Sequence, residues 1–302
     1  MKTVNYRIGI DLGGTKIEIM ALDGLGKEMI RKRVPTPGDD YVAILQSIAS
    51  LISHVESQHG VSDSIGICMP GALSPSTGRL KNSNTVCLNG NYFLNDIQGV
   101  IGRTVQIAND ADCFTLSESV DGSAAGARVV FGVIIGTGVG GGIAVDCKLL
   151  KGPNAISGEW GHNPLPWLSD LERPGRLCYC GKYGCIETFL SGPGMVSDHL
   201  SRGGQYTSAE EIVLYGKAND PSCNYSLEIY THRLARSLAQ LINILDPDVI
   251  VLGGGMSNYR NLYADVPKIW GEFVFSDRVA TRLLPPKYGD SSGVRGAAWL
   301  GG

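Results

Sequence analysis

The stretch Ile8–Lys16 reads IGIDLGGTK. It begins as an apolar strand, places a carboxylate at Asp11, and then breaks at Gly13, Gly14 and Thr15. A tight turn needs glycine but does not need the aspartate. Backbone N–H groups of a glycine turn can line a phosphate, because no side chain blocks close approach. Asp11 would repel the phosphate itself, so its reasonable role is to hold Mg2+ through water. Past the turn, Ile17, Ile19 and Ala21 alternate with Lys16, Glu18 and Met20, the period of a half-buried strand. The glycines therefore belong to a strand-to-strand hairpin.

A second glycine turn repeats the pattern. Val129–Ile135 reads as a strand, residues 136–142 (GTGVGGG) as the turn, and Ile143–Val145 as a resumed strand. Gly136, Gly138 and Gly141 have the spacing of a dinucleotide fingerprint. That fingerprint opens a helix, however, and this turn continues into a strand. No Walker pattern is present. The echo between the turns predicts two similar lobes, 1–120 with 290–302 and 121–289, with a cleft between them. Helical spacing marks Tyr41–Ser57, Ala111–Val120, Ser226–Leu245 and Gly293–Leu300. Strands are expected at Ser64–Met69, ending at Pro70-Gly71, at Thr104–Ala108, and at Val249–Leu252, which opens into Gly253, Gly254 and Gly255.

The chain has 302 residues, 43% of them hydrophobic, enough for one large domain or two lobes. Its net charge of −3 and the lack of a basic run exclude a nucleic-acid partner. No stretch is apolar and long enough to span a bilayer, and the N-terminus has no signal-peptide core, so the expected compartment is the cytoplasm. Cysteines there are reduced, and clustered ones read as metal ligands.

Cys178, Cys180 and Cys185 form such a cluster in CYCGKYGC. Three thiolates on a tight loop suit tetrahedral zinc, and His162 is the nearest histidine in sequence to complete four ligands. With four protein ligands the zinc is structural. Glu159, in GEWGH, and Glu187, two residues past the last cysteine, would be pinned beside it. Ionised carboxylates accept hydrogen bonds without donating, which suits sugar hydroxyls. Asn109-Asp110 ends a strand ahead of a helix. Asp110 could accept a proton from a hydroxyl attacking a γ-phosphoryl group, or the pair could simply cap the helix.

In order along the chain, DLGGTK, the Pro70-Gly71 turn, ANDAD, IGTGVGGG, GEWGH, CYCGKYGCIET and DPDVIVLGGG resemble the ROK family of sugar kinases and sugar-responsive repressors. Within it, GEWGHNPLPW and GDSSGVRGAAWL look like the bacterial fructokinase (mannofructokinase) branch. The resemblance implies an α/β, actin-like (ribonuclease-H-like) two-lobed ATPase-domain fold with an interlobe cleft. It implies ATP and Mg2+ held by Asp11, Gly13, Gly14, Thr15, Lys16, Gly136, Thr137, Gly138, Gly253, Gly254 and Gly255. Asp110 aligns with the catalytic base. Gly71, Asn84, Asn109, Asp110, Glu159, His162 and Glu187 align with the sugar-contacting positions. His162, Cys178, Cys180 and Cys185 align with the zinc ligands, so His162 would serve both zinc and sugar. A homodimer is the implied assembly.

The expected activity is transfer of a phosphoryl group to the 6-hydroxyl of fructose, with mannose as a second substrate. The family alternatives are kinases of N-acetylglucosamine, N-acetylmannosamine or glucose. Trp160 stands where the family usually has a small or aliphatic residue. A bulky indole in the pocket wall would count against N-acetylated sugars. A sugar-sensing regulator would carry a helix-turn-helix ahead of Asp11, where no room is read for one. A pure sugar binder would not need both a phosphate turn and a base.

Overall fold

The structure is a computed structural model and describes residues 5–301. Residues 1–4 and 302, on which the expected absence of a signal peptide and the ends of the first lobe partly rest, lie outside the described residues. The chain forms two compact units. The described residues 5–126, 147–157 and 287–301 make the first, and 127–146 with 158–286 make the second.

The first unit contains β1 (Tyr6–Leu12), β2 (Lys16–Asp23), β3 (Glu28–Pro35), α1 (Tyr41–His59), β4 (Ser64–Met69), β5 (Ala72–Leu73), β6 (Leu80–Lys81), α2 (Phe93–Ile101), β7 (Gln106–Asn109), α3 (Asp110–Val120) and the short β10 (Lys148–Leu149). It closes with α9 (Ser292–Trp299). Its sheet runs β3-β2-β1-β4-β7. The hairpin partners β1 and β2 are antiparallel, whereas β4 and β7 join in parallel. One face carries α1, whose Ile44, Ile48, Ile52 and Val55 recur at helical spacing and share a core with Ile8, Ile10 and Ile67.

The other face carries α9, which arrives from the far end of the chain. A Cβ at Gly9 would lie 2.1 Å from the Val294 carbonyl oxygen, and one at Gly66 1.9 Å from that of Ala297. Glycine at both places lets the helix backbone lie on the sheet. This overturns the half-buried reading of β2. Met20 and Leu22 are buried against Val294 and Ala298, and Glu18 is buried too. Arg31 and Arg33 of β3 donate their Nε–H to its carboxylate, Arg33 at 2.7 Å. The charged sequence of β3, EMIRKRVP, shows no alternation and so carries no strand signal of its own.

The second unit contains β8 (Val129–Ile135), β9 (Val139–Val145), α4 (Glu187–Leu190), α5 (Gly192–Ser201), α6 (Ala209–Lys217), α7 (Pro221–Leu245), β11 (Val249–Gly253), α8 (Leu262–Ile269) and β12 (Arg282–Leu284). Its strands run β9-β8-β11-β12, with β8 and β9 antiparallel and β11 and β12 added in parallel. The hairpin-then-parallel order of the first sheet thus recurs, as the echo of the two turns implied. Together these sheets make the α/β, actin-like fold.

The unit limits differ from the expected 120/121 and 289/290 for a physical reason. Buried Glu118 accepts hydrogen bonds from Ser123 N (2.8 Å), Lys287 N (3.0 Å) and Ser292 Oγ (2.9 Å), holding those segments in the first unit. Leu149 packs there on Cys68, Ala108 and Cys113, so 147–157 belongs to it as well. The long helix also starts earlier than Ser226. Asp220 caps it, with its carboxylate accepting from Ser222 N and Cys223 N, and Pro221 occupies the first turn. Among the described residues no helix is long and apolar enough to cross a membrane.

Candidate active site

In the first unit the parallel strands end together. Asp11, Cys68 and Ala108 lie side by side across β1, β4 and β7. Just beyond them come Gly13-Gly14-Thr15, Pro70-Gly71 and Asn109-Asp110, in the usual place for ligands of an α/β sheet. Gly13 N donates to Lys16 O at 2.9 Å, closing the turn, and Thr36 Oγ1 donates to Gly13 O at 2.7 Å. The hydroxyl of Thr85 is buried without a partner among the described residues, and a Cβ at Gly14 would lie 3.5 Å from it. Sequence alone did not single out Thr85, because its placement depends on the loop that follows β6.

Burial pushes the Asp11 carboxyl up, Cys68 opposes this by hydrogen bonding, and the charge of Asp110 nearby adds to the rise. Asn109 caps α3, accepting from Asp112 N at 2.7 Å, so the capping role is real for that residue. Asp110 is the first helical residue and accepts from Ala111 N at 2.9 Å. Its side chain reaches solvent, yet the protein around it is dense enough that desolvation raises its carboxyl, against the Ala111 hydrogen bond. Gly71 takes φ 84°, and a Cβ there would meet Lys81 O at 2.4 Å. Asn84 is exposed between buried Ser83 and Thr85.

In the second unit the turn is shorter than expected. β9 resumes at Val139, so only Gly136, Thr137 and Gly138 form it, and residues 140–142 pair with β8. The glycine at 141 serves packing: a Cβ there would lie 2.9 Å from both Phe131 Cζ and Trp160 Cδ1. Trp160 itself is 3% exposed, and its indole N–H donates to Gly140 O at 2.9 Å. The expectation that this indole walls a sugar pocket is therefore corrected. It belongs to the core of the unit.

The turn is held from two sides. Gly192 N, at the start of α5, donates to Gly136 O at 2.8 Å, and Val139 N donates to Glu187 Oε2 at 2.9 Å. A Cβ at Gly136 would meet nothing within 4 Å, which leaves its backbone open to a ligand. Gly136 and Thr137 edge a cavity of about 1100 Å3 that Gly255 and Met256 also line. Its apolar wall comes from Val196, Leu200, Val213 and Tyr259, residues that no sequence motif marked. Gly254 takes φ 78° and backs onto Ile135, whereas Gly253 is buried as the last residue of β11.

The four soft donors converge. His162, Cys178, Cys180 and Cys185 offer ligand atoms that all lie within 4.8 Å of one another. Cys178 Sγ is 3.6 Å from His162 Nδ1, and Cys180 Sγ is 3.6 Å from Cys185 Sγ. A tetrahedron with bonds of about 2.0–2.3 Å has edges of roughly 3.3–3.8 Å, so these two pairs match such an ion. Burial, then the neighbouring thiols, pushes Cys185 up to about 12, the crowding that a bound cation relieves. The Trp160–His162 turn presents the imidazole. With Nδ1 facing the thiols, Nε2 faces Tyr179 Oη at 2.9 Å. Glu159 is exposed just ahead of this turn, and Glu187 follows the last cysteine as the first residue of α4.

A ROK family model matches residues 7–301. The chain is 38% identical over 296 residues to an N-acetyl-D-glucosamine kinase of Aliivibrio salmonicida, covering 97% of this chain and 98% of that one. Among solved structures, it superposes on the ROK hexokinase from Thermus thermophilus with a TM-score of 0.86 at 26% identity, over 98% of this chain and 97% of that one. It also superposes on a ROK family glucokinase from Streptomyces griseus, in complex with glucose and AMPPNP, with a TM-score of 0.74 at 25% identity over 97% and 98%. The curated relative bears the N-acetylglucosamine name, which does not support the expected placement beside the fructokinases. On the match across nearly its whole length, the chain belongs to the ROK family.

Proposed function

We propose that the protein phosphorylates the 6-hydroxyl of N-acetyl-D-glucosamine, using ATP with Mg2+. That it is an ATP-dependent sugar kinase rests on its family together with its kinase relatives; the acetylated hexose is our reading. The observation that carries it is the end-to-end identity of 38% with an N-acetyl-D-glucosamine kinase. With Trp160 buried in the core, its indole does not stand against an acetamido group. Fructose gives way to this alternative.

In this reading the first unit supplies Gly13, Gly14, Thr15 and Lys16 to the phosphates and Asp11 to the hydrated Mg2+. Asp110 accepts the hydroxyl proton as the sugar oxygen attacks the γ-phosphorus and the bond to the bridging oxygen of ADP breaks. Gly71, Asn84 and Asn109 contact the sugar. In the second unit the cavity beside Gly136 and Gly255 takes the adenosine, and Glu159, His162 and Glu187 accept from or donate to sugar hydroxyls. The His162–Cys178–Cys180–Cys185 set takes Zn2+ as a structural ion, since four protein ligands leave no open position.

The test is ADP release with ATP and Mg2+ against N-acetylglucosamine, N-acetylmannosamine, glucose, mannose and fructose. The highest kcat/KM is expected for N-acetylglucosamine, and a preference for fructose would overturn the substrate assignment. Metal analysis should give one zinc per chain, lost in Cys185→Ser together with sugar affinity. Full zinc content in that variant would overturn the ligand set.

A further inference from the structure

A second recess in the second unit, of about 330 Å3, shares no lining residue with the larger cavity. It lies across α5 from that cavity. Val196, Ser197 and Leu200 face the larger space, whereas Asp198, Ser201 and Arg202 face this one. Its lining is basic: Arg173, Arg176, Arg202 and Arg233 stand around Glu172 and Asp198.

The ion pairs do not balance. Asp198 is shared by Arg176 (3.0 Å), Arg202 (3.1 Å) and Arg233 (3.0 Å). Glu172 is shared by Arg233 (2.8 Å) and Arg236 (2.5 Å). Arg173 has only exposed Asp170, at 3.9 Å. Five guanidiniums thus meet three carboxylates, leaving two positive charges uncompensated. Arg233 and Arg236 are 3% and 6% exposed and hold the buried carboxylates, whereas Arg202 and Arg173, at 26% and 63%, stay open to a ligand arriving from solvent. Such an excess in a walled recess attracts an anion.

We propose that this recess binds a phosphate-class dianion, either inorganic phosphate or the phosphate group of a sugar phosphate. Arg202 and Arg173 receive it. Arg202 commits its Nε to Asp198, and Arg173 gives one amino group to Leu168 O at 3.3 Å, which leaves terminal N–H groups of both in the planar fork that matches an oxyanion. Arg176 is already spent on Thr188 O, Gly194 O and Asp198, so it frames the recess rather than binding in it.

The experiment is calorimetric titration of inorganic phosphate, and separately of a hexose 6-phosphate, into the full chain saturated with AMPPNP, at ionic strength held constant with chloride. One phosphate per chain is expected. Affinity should fall at least tenfold in the Arg173→Gln/Arg202→Gln double variant, with AMPPNP affinity unchanged. Binding of the sugar phosphate alone, lost in the same variant, would also support the site and name the phosphate ester as its ligand. Equal phosphate affinity in wild type and variant, or no binding of either ligand beyond the chloride control, would overturn the proposal. Should the double variant not fold, Arg202→Lys keeps the charge but removes the fork. Unchanged phosphate affinity in that variant would overturn the assignment of Arg202.

Discussion

Glu187 Oε2 accepts a hydrogen bond from the backbone N–H of Val139 at 2.9 Å. One carboxylate therefore links the cysteine loop, which it follows by two residues, to the end of the Gly136–Gly138 turn. The same turn is tethered by Gly192 N to Gly136 O. Metal loop, acidic side chain and glycine turn form one mechanical unit.

That link predicts a double effect. Glu187→Ala removes a charge-assisted hydrogen bond worth about 1.5–3 kcal/mol and orphans the Val139 N–H. KM for ATP and KM for sugar should both rise, roughly tenfold each. Steady-state kinetics with each substrate varied in turn will show this. A change confined to the sugar KM would mean that the link to the turn has no bearing on nucleotide binding.

Asp110→Asn should lower kcat by roughly 100- to 10 000-fold, the usual worth of a positioned base, with sugar affinity by calorimetry largely retained. In the wild type, desolvation raises the Asp110 carboxyl above its ordinary 3.8. The base acts when ionised, so kcat/KM should fall as pH drops, with a midpoint above 3.8. A near-normal rate in the Asn variant would remove Asp110 from the mechanism.

Trp160 is a core residue, so its truncation should cost stability and leave specificity alone. Trp160→Ala loses the contact with Phe131 (ring centroids 6.2 Å apart) and the hydrogen bond to Gly140 O. The expected cost is about 3–5 kcal/mol in urea unfolding. The order of sugar preference should not change; a reordered panel would return the indole to the pocket wall.

Burial alone would raise the carboxyl of Glu172, but hydrogen bonds from Arg233 and Arg236 overcome it and hold it at about 2, below its ordinary 4.5. Ionised Glu172 thus favours the folded state. The contribution is complete above pH 4.5 and is lost as pH falls towards 2. Its size is on the order of 3 kcal/mol. Denaturant unfolding at a series of pH values should show the loss in the wild type. Glu172→Gln should be less stable at neutral pH and flatter over the acid range, and parallel curves for the two proteins would contradict the assignment.

The sequence by itself determined the two hairpins, the α/β class, the cysteine–histidine donor set and the end-of-strand position of Asp110. Each is local: glycines between strand patterns, thiolates a few residues apart, a polar pair where a strand stops. Tertiary structure decided the rest. Whether Met20 and Leu22 face water depended on a helix more than 260 residues further on, since Val294 and Ala298 of Ser292–Trp299 cover the face that alternation assigns to solvent. Whether the glycine at 141 lines a ligand or makes room for Trp160 depended on a segment folded back against its strand. The apolar wall of the larger cavity and the arginine recess across α5 have no motif at all. They exist because helices distant in sequence present side chains to one space, and neither spacing nor composition encodes such a meeting.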